Sequence, residues 1–192
     1  RDAAYALNKL GKAATPALPQ LIKGLNDRDE QVWFQSTMTI ARIGPEAEDA
    51  IPTLIEHLSN RYEQKRYRSA YALGMIGVAA IDPMRELLKN DSSGIRFGAA
   101  QALGWMKSDA SPAIDDLVRA LGDSDADVQR VAAQSLGNIG ATAEPALAAA
   151  LSADQETVRS NAAIALKQLG AKQPGTIDAL RKTANDESGT VR

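Results

Sequence analysis

One short pattern recurs along the entire chain: Leu7-Asn8-Lys9-Leu10-Gly11, then Ile40 to Gly44, Leu73 to Gly77, Leu136 to Gly140 and Leu166 to Gly170. A degenerate version, Leu103-Gly104-Trp105-Met106-Lys107, fills the one gap. The leading residues of these copies are separated by 33, 33, 30, 33 and 30 positions. A period of this size belongs to a stack of small supersecondary units, each burying its apolar face on its neighbours. It argues against a globule with a single central core.

Within one unit the apolar spacing is helical. Val158, Ala162, Ala165, Leu166 and Leu169 define one face of a helix, and Gly170 is expected to end it in a left-handed C-terminal conformation. The same frame fits Val32 to Gly44 and Val128 to Gly140. It also fits Ile95 to Lys107, where Lys replaces the terminal Gly and a weaker cap is expected. A second helix follows each stop, with apolar positions Leu18, Leu21, Ile22 and Leu25, then Ile51, Leu54, Ile55 and Leu58, and later Ile114, Leu117, Val118 and Leu121. Pro16, Pro52, Pro112, Pro145 and Pro174 lie near the starts of these helices, where a missing N–H costs little. The difference between 33 and 30 residues falls in the linker between the two helices. Aromatic residues are only 4% of the chain, so Ala, Leu, Ile and Val must build the interior.

A polar hinge leads into each new unit, as in 26–31 and 122–127. Polar hinge, Val-Arg, Ala-Ala, Ala-Leu-Gly, Ile-Gly, then Pro and a Leu-rich helix: this order resembles the HEAT repeat, and within it the short Ala-rich subclass of phycobilisome lyases. The resemblance covers the whole chain. It implies an all-α, right-handed α-solenoid of six antiparallel helix pairs, with copies at 1–31, 32–64, 65–94, 95–127, 128–157 and 158–190. Residues 191–192 open a further copy, and the segment reads as part of a longer array. Carried over residue by residue, the repeat arginine falls on Arg66, Arg96, Arg159 and Arg192, with Trp33 and Gln129 in its place in two copies. The hinge Asp or Asn six positions earlier falls on Asp27, Asn60, Asn90, Asp123 and Asp186, and Ala153 breaks the row. The resemblance implies that this ladder is structural and ties neighbouring units together.

Catalytic constellations are hard to find. His57 is the only histidine and cysteine is absent, so neither a di-iron site of several His-Glu pairs nor a thiolate site can be built. Asp123-Ser124-Asp125-Ala126-Asp127 imitates the start of a calcium loop, yet Val128 and Gln134 stand where that loop needs Gly and Glu. No catalytic residue, metal or cofactor is therefore assigned. The formal net charge of −2 argues against a general polyanion binder, and no apolar run reaches membrane-spanning length. The expected function is a non-catalytic scaffold that binds protein partners along the solenoid surface. The same repeat subclass also implies an alternative, a bilin-lyase-like subunit. A third reading, contact with nucleic acid, rests on the basic hinge from Arg61 to Arg68.

Two candidate partner surfaces emerge. Phe34, Tyr67 and Phe97 occupy one position in successive first helices, and Met38 and Tyr71 lie four residues further on. With Arg61 and Arg68 they form the expected partner-binding set. The other surface is the second-helix face, where Gln20, Lys23, Glu56, His57, Asp116, Arg119, Ala120, Ala149 and Ala150 are expected to point outward. The terminal pairs, lacking neighbours, are expected to fray and to associate end to end.

Overall fold

The computed structural model describes residues 2–171, 173–184, 186 and 188–189, and every regular element among them is helical. First helices alternate with second helices in six pairs. The first helices are α1 (Asp2–Leu10), α3 (Glu30–Ile43), α5 (Glu63–Ile76), α7 (Ser93–Met106), α9 (Ala126–Ile139) and α11 (Glu156–Leu169). The second helices are α2 (Leu18–Gly24), α4 (Ile51–Glu56), α6 (Ile81–Leu87), α8 (Ile114–Ala120), α10 (Glu144–Ala150) and α12 (Pro174–Thr183). Each first helix packs on the next, α1 on α3, α3 on α5, α5 on α7, α7 on α9 and α9 on α11. The result is a solenoid with one continuous apolar seam instead of a central core.

The linkers of the first five copies are themselves helical, which periodicity did not reveal. In the longer copies they are 3-10 segments of seven residues, Gly11–Ala17, Gly44–Ala50 and Lys107–Ala113. In the shorter copies they are three residues, Val78–Ala80 and Ala141–Ala143. A 3-10 helix takes about three residues per turn. Counted from the stop residue to the second helix, Gly44 to Ile51 is three positions longer than Gly77 to Ile81, about one such turn. The seam is filled as the spacing implies: Leu21, Leu25, Leu54, Leu58, Leu117 and Leu121 are fully buried, while Ile22, Ile55 and Val118 are only partly so.

Helix stops fall on positive-φ residues: Gly11, Gly44, Gly77, Gly140 and Gly170, with Lys107 the one such residue that is not glycine. The conformation differs from expectation. Gly170 (φ 66°, ψ 49°) is left-handed helical, whereas Gly44, Gly77 and Gly140 pair positive φ with strongly negative ψ. The chain there turns straight into the 3-10 linker. Lys107 adopts the same geometry at φ 54° and ψ −134°, so its cap is strained as well as weak.

Candidate interaction surface

The hinges supply the regular part of the surface. Asp27, Asn60, Asn90, Asp123 and Asp186 each accept the backbone N–H two residues on, at 2.8–3.0 Å. Each side chain thus closes its own turn before the next first helix begins. Asp29 and Asp125 then cap α3 and α9. Of the calcium-like stretch, the Asp123 and Asp125 carboxylates are used in this way and Asp127 pairs with Arg130; among the described residues no group of three potential ligands is placed to hold a metal ion.

The repeat arginine reaches in two directions. Arg96 donates Nη1 to the carbonyls of Asn90 and Asp91 in the preceding hinge, and Nε and Nη2 to both oxygens of Asp123 in the following one. Arg159 does the same between Ala153, Asp154 and Asp186. Arg66 binds only backward, to the carbonyls of Asn60 and Arg61, since Asn90 offers no carboxylate. Gln129 keeps one backward bond, Nε2 to Asp123 O at 2.5 Å. Trp33 makes none of these bonds. Arg192 lies outside the described residues.

A cleft of about 750 Å³ opens where Trp33 interrupts this series. Asp27, Arg28, Trp33, Asn60, Arg61, Tyr62 and Lys65 are among its walls. The cations of this hinge are turned onto aromatic rings of the same chain. Arg61 lies 4.6 Å from the centre of the Tyr62 ring, Lys65 Nζ 5.5 Å from Trp33, and Arg68 4.9 Å from Phe34 and 6.0 Å from Tyr67. Burial holds the Lys65 ammonium below its ordinary pKa. Only Arg66 is taken up by hinge carbonyls.

The aromatic residues are confined to the first helices and one hinge of the first four pairs. All the Phe, Trp and Tyr residues lie on α1, α3, α5 and α7 or, for Tyr62, at the N-cap of α5. None is on a second helix, none follows Trp105, and none belongs to the buried core. Tyr5, Tyr62 and Tyr67 are exposed. Phe34 and Met38 are half-buried and line a smaller cleft with Tyr5 and Arg42. Tyr71 and Phe97 lean on the core, and Trp105 stacks edge-on with Tyr67 and Tyr71 at 6.5 and 5.2 Å. The expected stripe of Phe34, Tyr67 and Phe97 is part of this broader band. The sequence reading left out Trp33, Tyr62, Lys65 and Trp105 from the set, although the break in the arginine row at Trp33 was visible.

The second-helix face departs from expectation. His57, Asp116, Ala120 and Ala150 are buried, not outward. Side chains of the adjacent unit reach the polar positions among them. Asp116 receives Arg85 Nε of α6 at 2.6 Å and is also paired with Arg119. His57 Nε2 pairs with Asn26 Oδ1 at 2.9 Å, leaving Nδ1 buried without a partner. Burial, then the Lys65 charge, lowers its pKa to about 4.

A family model described as HEAT repeats matches residues 51–137 and 114–192. The chain belongs to the HEAT-repeat family. Three solved structures are similar to this HEAT array. YibA of Escherichia coli is 24% identical over 98% of this chain and 71% of its own, with a TM-score of 0.50. An engineered protein is 22% identical over 91% of each chain at a TM-score of 0.49. The complex of CpcE and CpcF of phycocyanin lyase from Nostoc sp. PCC7120 is 23% identical over 90% of this chain and 72% of that one, at 0.48. Likeness at this level concerns the fold of the HEAT array. No curated protein sequence matches the chain, and no helix among the described residues is long and apolar enough to cross a membrane.

Proposed function

We propose that this HEAT array is a non-catalytic scaffold that binds a protein partner on the first-helix face of its first four pairs. The observation that carries the reading is the placement of the aromatic residues outside the core. Aromatic side chains bury large apolar areas and normally contribute to interiors. Here Leu, Ile and Ala fill the seam, Tyr71 and Phe97 pack against its edge, and Phe34, Tyr62 and Tyr67 stand half-buried or exposed, accompanied by Arg61, Arg68 and Arg42. Tyr, Trp and Arg are the residue types that dominate binding energy at protein interfaces. The candidate contacts are Phe34, Met38, Tyr67, Tyr71 and Phe97, with Arg61 and Arg68 beside them.

The test is to select peptide ligands from a random library against the folded chain and map the bound site by hydrogen exchange. Protection of the exposed sides of α3, α5 and α7, lost in a Phe34→Ala/Tyr67→Ala variant, supports the reading. Protection confined to the second helices would overturn it.

A further inference from the structure

We propose that the cleft at Trp33 receives an arginine side chain from the bound partner, taking the place that the chain's own arginine fills in other units. The inference rests on the reading of the chain as a protein-binding scaffold and names one contact within it.

The chain carries its own templates for the site. Between hinge 90–91 and hinge 123 the gap is spanned by the Arg96 guanidinium, bonded to two carbonyls behind it and one carboxylate ahead. Between 153–154 and 186 Arg159 fills the equivalent gap in the same way. The corresponding positions of the second copy are Asp27, Arg28 and Asn60. All three line the cleft, and the residue at the arginine position is Trp33. Among the described residues no side-chain donor reaches the main-chain oxygens of Asp27 or Arg28. The hinge that prepares these oxygens is nonetheless built as in the other copies, with Asp27 Oδ1 accepting the N–H of Asp29 at 2.8 Å. The acceptor frame for a guanidinium is present and the guanidinium is not supplied by the repeat.

Trp33 adds a feature that the templates lack. Its ring already serves as a platform for one cation, Lys65, and an indole face holds a planar guanidinium by stacking as well as by charge. Acidic and basic side chains balance around the cleft, Asp27, Glu30 and Glu63 against Arg28, Arg61 and Lys65. Selection therefore depends on direction more than on net charge. In the templates one nitrogen, Nη1, serves both carbonyls, which leaves the guanidinium plane free to stack on the indole; a lysine ammonium is a point donor without that plane. An arginine peptide should outbind its lysine analogue.

The probe is a capped Gly-Arg-Gly tripeptide, compared with Gly-Lys-Gly, titrated into the full chain and followed by NMR. The indole N–H of Trp33 reports binding and that of Trp105 serves as the control. Saturable shifts at Trp33 with the arginine peptide are expected, with the lysine peptide weaker by about tenfold. Asn60→Asp supplies the carboxylate seen at Asp123 and should tighten arginine binding several-fold. Trp33→Arg/Asn60→Asp completes the internal ladder, so it should raise Tm and abolish arginine binding, read from the Arg28 and Asn60→Asp backbone amides. Equal binding of the two peptides, no response to Asn60→Asp, or binding retained in the double variant would each overturn the proposal. Tyr67 lies outside the cleft, so Tyr67→Ala should leave tripeptide binding intact, which separates failure of this site from failure of the aromatic face.

Discussion

Arg96 and Asp123 meet through two parallel hydrogen bonds, Nε to Oδ2 and Nη2 to Oδ1, both at 2.7 Å, with side chains only 12% and 9% exposed. The pair joins the start of one first helix to the hinge that begins the next unit. Fork geometry of this kind fixes direction as well as distance.

Arg96→Ala should therefore lower stability by about 2–3 kcal/mol, because it leaves Asp123 partly buried without its partner and removes two bonds to hinge carbonyls. Arg96→Lys should recover little. Urea unfolding of both variants checks this. A loss below the error of the measurement would mean that the hinges hold without the ladder.

Acid should weaken the same link. Burial pushes the Asp123 carboxyl up, but the Arg96 hydrogen bonds, the backbone N–H of Asp125 and the Arg96 charge outweigh it, so the pKa lies below the ordinary 3.8. The pair's contribution is present above that ordinary value and is lost as pH falls through the lower, folded-state one. Asp123→Asn should remove this part of the acid dependence.

His57 acts in a higher pH window. Its folded pKa of about 4 lies below the ordinary 6.5, so the unfolded chain binds more protons between these values. Stability from neutral His57 is complete above pH 6.5 and declines towards pH 4, by on the order of 2–3 kcal/mol. The slope of unfolding free energy against pH should flatten across this range in His57→Gln. An unchanged slope would show that the imidazole does not titrate against folding.

Lys107 holds the positive-φ stop that glycine occupies in the other units. Lys107→Gly should raise stability by roughly 1 kcal/mol, as relief of strain exceeds the added entropy of the unfolded chain. Gly140→Leu should do the reverse. Nothing lies within 4 Å of a Cβ built on Gly140, so the loss in a companion Gly140→Ala variant reads backbone strain. Thermal melts of the two variants should move in opposite directions.

Gly74 is a different case, since it lies inside α5. A Cβ there would come within 2.3 Å of Trp105 Cβ and 3.0 Å of the Ala102 carbonyl. Gly74→Ala should force α5 and α7 apart at a cost of about 2 kcal/mol. It should also change the near-ultraviolet signal of Trp105. A melt identical to the parent's would show that the helices yield freely at this contact.

The repeat period, the helix faces and the stop positions were all legible in the sequence, because each follows from local rules. Apolar residues at helical spacing must face a neighbour, and only a residue tolerant of positive φ can end the helix where the chain turns. Leu54, Leu117 and Gly140 needed no three-dimensional information. Burial on the second helices was decided by packing between units. His57 and Asp116 read as outward on an isolated helix, and they are buried because Asn26 and Arg85 reach them from adjacent units about 31 residues away in sequence. The cleft was decided in the same way. Trp33 in an arginine row is a visible irregularity, but that two unfilled hinge carbonyls and Asn60 surround one opening depends on how consecutive units stack. A repeat specifies the unit through local chemistry. The surface between units exists only once the stack is formed.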